Sequence, residues 1–179
     1  IYMDELWGSI FSYSGNRFFS KAPLHVPYRF TAAVGEPIAP DAVKIGMLSS
    51  PECMKAVADK LRQYRPANVV IDPVMFAKNG DPLMDPKSVG ALIEIVLPFA
   101  DVLTPNVPEA QYLAGMEIHT PADMETAARK IGALGCKNVL VKGGKNIPGA
   151  VDVLFDGETC HRIEIEQVDS TSTHGTGCT

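Results

Sequence analysis

The stretch DAVKIGMLSSPECMKAVADKLRQYRPANVVID, residues 41–72, decides the fold class. Its opening apolar run, 42–47, reads as a strand. Ser50-Pro51-Glu52 then supplies an N-cap, a first-turn proline and a first-turn acid for a helix running to about Tyr64. Met54, Val57, Ala58 and Leu61 recur at helical spacing and face the core. A second apolar run, 69–72, reads as another strand. Strand, helix and strand at this spacing form one crossover unit of a parallel sheet.

The same alternation continues outward. Asp85-Pro86 caps a helix with Val89, Leu92, Ile93 and Val96 on one face, and 101–104 is a third strand. Residues 106–115 form a short helix. Thr120-Pro121 opens another, with Met124, Ala127, Ala128, Ile131 and Leu134 inward and Gly135 placed to end it, ahead of a strand over 138–142. The pattern then changes: 151–155 and 160–165 flank Asp156-Gly157-Glu158-Thr159 as an antiparallel hairpin at the sheet edge. In residues 1–40, Trp7, Phe11, Tyr13, Phe18 and Phe19 are mixed with Gly, Ser and Asn without a sustained period, which reads as an irregular segment. No repeat, low-complexity tract or linker divides the chain, so it is expected to fold as one domain over 1–179.

The 179 residues are 46% hydrophobic and 21% charged, as in an ordinary globular domain with a real core. A net charge of -5 leaves no basic footprint for nucleic acid or an anionic membrane and favours a small-molecule substrate. No run approaches the ~20 apolar residues that span a bilayer, and the first residues lack signal-peptide order. Cys53, Cys136, Cys160 and Cys178 have no paired spacing; they read as reduced thiols of a cytoplasmic protein.

In open parallel sheets, ligands sit beyond the carboxyl ends of the strands. Polar punctuation falls there five times: Gly46-Met47, Asp72-Pro73-Val74-Met75, Thr104-Pro105-Asn106, Lys142-Gly143-Gly144, and the run Ser-Thr-Ser-Thr-His-Gly-Thr-Gly-Cys over 170–178. In the last, Gly175 and Gly177 remove the Cβ atoms that would keep a backbone from wrapping an anion, and a following helix N-terminus would complete a phosphate site. Cys178 is either a small core residue or a thiol acidified by that helix end. His174 is a polar loop residue or an added donor. Asn106-Val107-Pro108-Glu109 is a capping box, or makes Glu109 an anchor for water around Mg2+; both can hold together. Asp72 is a strand-terminating turn residue or a carboxylate that helps to hold a cation. Lys142 is a solvated strand-end lysine or a partner for phosphate oxygens. Lys44, inside an apolar strand, reads as structural.

These residues resemble the ribokinase-like superfamily, and within it the hydroxymethylpyrimidine/phosphomethylpyrimidine kinases of thiamine biosynthesis and the similar pyridoxal kinases. The resemblance rests on segments 41–48, 70–81, 101–110, 139–144, 151–157 and 173–179, in family order. It implies a three-layer α/β/α domain with a mostly parallel central sheet and an antiparallel edge hairpin, incomplete at both ends. It further implies ATP- and Mg2+-dependent phosphorylation of 4-amino-5-hydroxymethyl-2-methylpyrimidine and then of its monophosphate, with pyridoxal kinase as the alternative and an inactive binding module as a third possibility. Carried over by position, Gly175, Thr176, Gly177 and Cys178 match the anion hole, with Cys178 where other superfamily members place a catalytic aspartate. Asn106 and Glu109 match the Asn-x-x-Glu motif linked to Mg2+ and triphosphate. Asp72 and Thr104 match cation- and phosphate-side positions, Lys142 an ATP contact, and Met47 and Val74 positions that touch the pyrimidine. The resemblance also implies a possible homodimer. The family's glycine-rich opening segment and substrate-binding glutamine have no match in 1–40.

Overall fold

The computed structural model describes residues 2–4, 31–33, 40–48, 50–76, 80, 82–144 and 147–164. The chain divides into two compact units, 1–39 and 40–179. In the first, β1 (Tyr2–Asp4) and β2 (Thr31–Ala33) pair antiparallel, two short strands within the stretch that carries no clear period. Among its described residues, the second unit holds a six-stranded sheet.

Its strands are β3 (Val43–Ile45), β4 (Val69–Ile71), β5 (Val102–Leu103), β6 (Asn138–Val141), β7 (Val151–Phe155) and β8 (Cys160–Glu164), ordered in space as in the chain. The pairs from β3 to β6 are parallel, and β7 and β8 add antiparallel. The expected sheet, mostly parallel with an antiparallel edge hairpin, is thus present. Hairpin residue Ile165 lies outside the described residues.

Each parallel step is bridged by helix. Helix α1 (Pro51–Tyr64) starts where Ser50 accepts from the Cys53 N–H at 3.3 Å, and it ends at Arg65, whose left-handed φ of 44° lets its N–H close on Leu61. Met54, Ala58 and Leu61 are buried as the periodicity predicts. Helix α3 (Val107–Ala114) stops at left-handed Gly115, and α4 (Pro121–Gly132) carries a Thr120–Asp123 capping box. Helix α3 packs on α4, and α1 packs on α2 (Pro86–Ala91) and its continuation, so two helical pairs serve one sheet in a three-layer α/β/α arrangement.

Helix α2 departs from the simple period. After Ala91 the chain widens into a π turn over Leu92–Val96, with the Leu97 N–H bonded to the Leu92 carbonyl five residues back, and then tightens over Leu97–Phe99. Pro98 has no N–H for the Glu94 carbonyl, and its ring crowds that carbonyl. The wider turn ahead of it lets Leu92, Val96 and Leu97 all reach the core. That core is one continuous cluster on the sheet, including Met54, Ile71, Leu103, Met124, Ile131, Val139 and Val141.

Candidate active site at the carboxyl edge of the parallel strands

Because β3 to β6 run the same way, the residues that follow them emerge along one edge of the sheet. Backbone bonds carry the order past the strands themselves. The Asp72 N–H donates to Ile45 O at 2.8 Å, the Thr104 N–H to Ile71 O at 2.9 Å and the Lys142 N–H to Pro105 O at 2.8 Å, and Asn106 forms a parallel bridge with Lys142. Asp72, Thr104, Asn106 and Lys142, far apart in sequence, are therefore held side by side, as the punctuation predicts.

Asp72 is buried at 4% exposure, and two ammonium groups approach its Oδ2: Lys142 Nζ at 3.4 Å and Lys44 Nζ at 4.0 Å. Lys44 thus stands beside the site although its apolar strand suggests a structural role. The alternation of β3 separates Lys44 from Val43 and Ile45, but it does not reveal which carboxylate from the next strand it meets. Thr104 keeps its hydroxyl 3.5 Å from the Ile71 carbonyl. Gly143 continues from Lys142, and its N–H donates to Asp152 Oδ1 at 2.8 Å. A Cβ there would lie 2.0 Å from the Val151 carbonyl oxygen, so only glycine fits between the end of β6 and the start of β7.

Among the described residues, Glu109 is the most enclosed acid, 2% exposed. The capping box forms in full: Glu109 N–H donates to Asn106 Oδ1 at 3.0 Å, and Asn106 N–H donates to Glu109 Oε2 at 2.9 Å. The other oxygen, Oε1, accepts from the Met75 N–H at 2.9 Å across 34 residues, a contact that the motif does not announce. Burial pushes the Glu109 carboxyl above its usual range and the nearby Asp72 charge adds to the rise, while the two amide bonds and Lys142 pull it back.

The apolar candidates lie on the same edge. Met47 follows β3 and is 60% exposed, an unusual state for a methionine at a strand end and one suited to covering by a ligand. Val74 is half-buried in the loop after β4. Phe76 and Tyr112 meet edge to face with ring centroids 6.0 Å apart, an aromatic pair beside this loop that the sequence pattern does not single out. Gly175, Thr176, Gly177 and Cys178, with His174, lie outside the described residues.

Among the described residues, no group of three or more His, Cys, Asp or Glu side chains could hold a metal ion. The donors at this edge are two carboxylates, one with both oxygens already accepting amide bonds. Such a set does not suit a caged ion, but it suits Mg2+ delivered on phosphates, which binds through one or two carboxylates and keeps several waters.

A family model described as phosphomethylpyrimidine kinase matches residues 20–179. The chain belongs to this family. The match reaches back ahead of residue 41, where the motif-by-motif resemblance begins. Among curated proteins, the chain is 47% identical over 159 residues to the thiamine biosynthesis bifunctional protein ThiED of Geobacter sulfurreducens, covering 86% of this chain and 32% of that protein. It is 41% identical over 149 residues to the hydroxymethylpyrimidine/phosphomethylpyrimidine kinase of Bacillus subtilis, covering 82% of this chain and 55% of that one. Among solved structures, the ADP complex of Bacillus subtilis pyridoxal kinase superposes with a TM-score of 0.69 at 43% identity, over 77% of this chain and 51% of that one. The fold is thus that of the ribokinase-like vitamin kinases. The chain spans about half the length, or less, of these relatives.

Proposed function

We propose that this chain carries the central part of a kinase that transfers the γ-phosphoryl group of ATP to the hydroxymethyl group of 4-amino-5-hydroxymethyl-2-methylpyrimidine, and then phosphorylates the resulting monophosphate. The observation that carries the reading is the buried Asp72 beside Lys142 and next to Glu109, on the sheet edge where the phosphates of such a substrate would meet the strand-end loops.

In this reading, the ammonium of Lys142 lies along the phosphates and offsets the charge that the equatorial oxygens carry in a loose transition state. Asp72 and, through a water, Glu109 would hold a Mg2+ ion that enters with the nucleotide. When bound, that ion would supply neutralisation of phosphate charge. The Lys142 and Lys44 ammonium groups, 3.4 and 4.0 Å from Asp72 Oδ2, fix this carboxylate in place for that purpose. Thr104 and Asn106 border the phosphates from the β5 end. Met47 and Val74 present apolar surface to a flat ring. By the family resemblance, Gly175, Thr176 and Gly177, which lie outside the described residues, would supply the anion hole, and Cys178 would accept the hydroxyl proton as the oxygen–phosphorus bond forms and the bond to ADP breaks. The unpaired thiols Cys53, Cys136 and Cys160 accord with a cytoplasmic enzyme.

A second reading, phosphorylation of pyridoxal or pyridoxine, is favoured by the 43% identity to a pyridoxal kinase, comparable with that to the pyrimidine kinase. Coupled ATP-consumption assays on the intact protein, run with the pyrimidine and with pyridoxal, separate the two. A kcat/KM at least about tenfold higher for the pyrimidine is expected; a preference for pyridoxal transfers the assignment to the second reading, and turnover of neither removes both.

A further inference from the structure

Val74 adopts a φ of 40°, left-handed backbone that a β-branched side chain resists. It sits between Asp72 and Met75, in the loop assigned to the acceptor ring. Something must hold it there. The peptide that follows Val74 carries the Met75 N–H, and the backbone angles of Val74 set the direction of that N–H. It points at Glu109 Oε1, 2.9 Å away and buried. Rotating Val74 back to extended backbone would swing the N–H off a buried carboxylate and leave both unsatisfied. The far side of Met75 is fixed as well: its carbonyl accepts from the Leu83 N–H at 2.9 Å, and its side chain is buried. The second oxygen of Glu109 is bonded to the Asn106 N–H at the start of α3. One carboxylate thus joins the loop after β4 to the loop after β5.

We infer that Glu109 is a positioning residue for the acceptor: by bonding Met75 and Asn106 at once, it locks the left-handed Val74 and sets the height of the acceptor loop against the phosphate side. This goes further than a water anchor for Mg2+, and it rests on the assignment of the β4 loop to a hydroxymethyl-bearing ring. Charge-assisted bonds to buried amides are strong enough to hold such a backbone, and a single carboxylate shared by two loops sets their spacing as a bridge rather than as two independent caps.

Three variants of the intact protein test this: E109Q, V74G and the two combined. In E109Q the backbone chemical shifts of residue 74 should move from left-handed to extended values. The KM for the pyrimidine should rise about tenfold, the loss expected when a buried charge-assisted bond is removed, in addition to any shift in Mg2+ dependence from the lost water anchor. V74G adopts left-handed backbone freely but loses the valine's contact with the ring, so the further rise in KM that E109Q causes should stay below about threefold when the double variant is compared with V74G alone. Val74 shifts that stay left-handed in E109Q overturn the inference whatever the protein phosphorylates. So does an E109Q effect confined to Mg2+ dependence, or one that V74G leaves unchanged. If E109Q does not fold, E109D, which keeps the charge but is too short to span both amides, takes its place with the same expected outcomes. Should the wild type act on neither ring, the functional assignment falls, and the Val74 shifts alone decide the clamp.

Discussion

Asp72 and Lys142 are 70 residues apart in the chain, yet their contact organises the candidate site. The buried carboxylate is answered chiefly by the nearer Lys142; removing it leaves Asp72 facing the more distant, half-exposed Lys44 ammonium, so its charge is under-compensated. K142M is therefore expected to lower the urea midpoint of unfolding. Adding D72N should restore part of that loss, because the under-compensated carboxylate goes with it. On the proposed kinase reading, turnover by the intact protein should fall by about a hundredfold in K142M and stay low in the double variant, since the neutralisation of phosphate proposed for Lys142 is lost in both. Recovery of stability together with activity would show that the pair is only structural. Asn106 gives a milder case: N106A removes one half of the capping box and should cost about 1 kcal/mol in denaturant unfolding.

Packing of β6 against β7 depends on a residue with no side chain. G143A would place a methyl 2.0 Å from the Val151 carbonyl oxygen, backbone against backbone, and neither side can yield by a rotamer change. A loss of about 2 kcal/mol or more in thermal unfolding is expected, with a larger fall in activity because Lys142 is the adjacent residue. At the next turn, Asp156 accepts from the N–H groups of Glu158 and Thr159 and from the Thr159 hydroxyl, and it meets His161 Nε2 at 2.8 Å. These bonds hold its carboxyl well below the usual range, the Thr159 amide contributing most. A carboxylate whose folded pKa is depressed stabilises fully above its unfolded pKa of about 3.9, and that stabilisation disappears as pH falls through the folded value. The urea midpoint of D156N should therefore lie below wild type by a constant amount from about pH 7 to about pH 5, and the gap should narrow steadily below about pH 4, closing only as pH falls through the depressed folded value. The elements themselves were largely legible, because caps and proline positions mark their starts: Ser50-Pro51, Asp85-Pro86, Asn106 and Thr120-Pro121 each open a helix where expected. The π turn after Ala91 was not, since an apolar run reads the same at 3.6 or 4.4 residues per turn over so short a span.

Across the whole molecule, the sheet decides what a linear reading can reach. Asp72, Thr104, Asn106 and Lys142 could be gathered in advance because parallel strands deliver their carboxyl ends to one edge. Lys44 could not, because alternation names a face but not the side chain opposite. Nor could the backbone of Val74, whose branched side chain signals extended chain, or the second bond of Glu109, whose partner lies 34 residues away. The thiols sort by the same architecture. Cys53 is exposed on α1, whereas Cys136 is buried and its thiol is pushed up to about 11. Iodoacetamide at pH 8 should label Cys53 in the native protein and Cys136 only after unfolding, as peptide mass mapping would reveal.

The spatial order of the six strands repeats their order along the chain, and this bears on how the domain comes together as it is made. Each strand from β4 to β8 pairs with the one before it, so none must wait for a later segment to separate two earlier ones. A nascent chain can extend the sheet at its growing edge, closing one crossover at a time, and can then fold the β7–β8 hairpin on locally as the most short-ranged step.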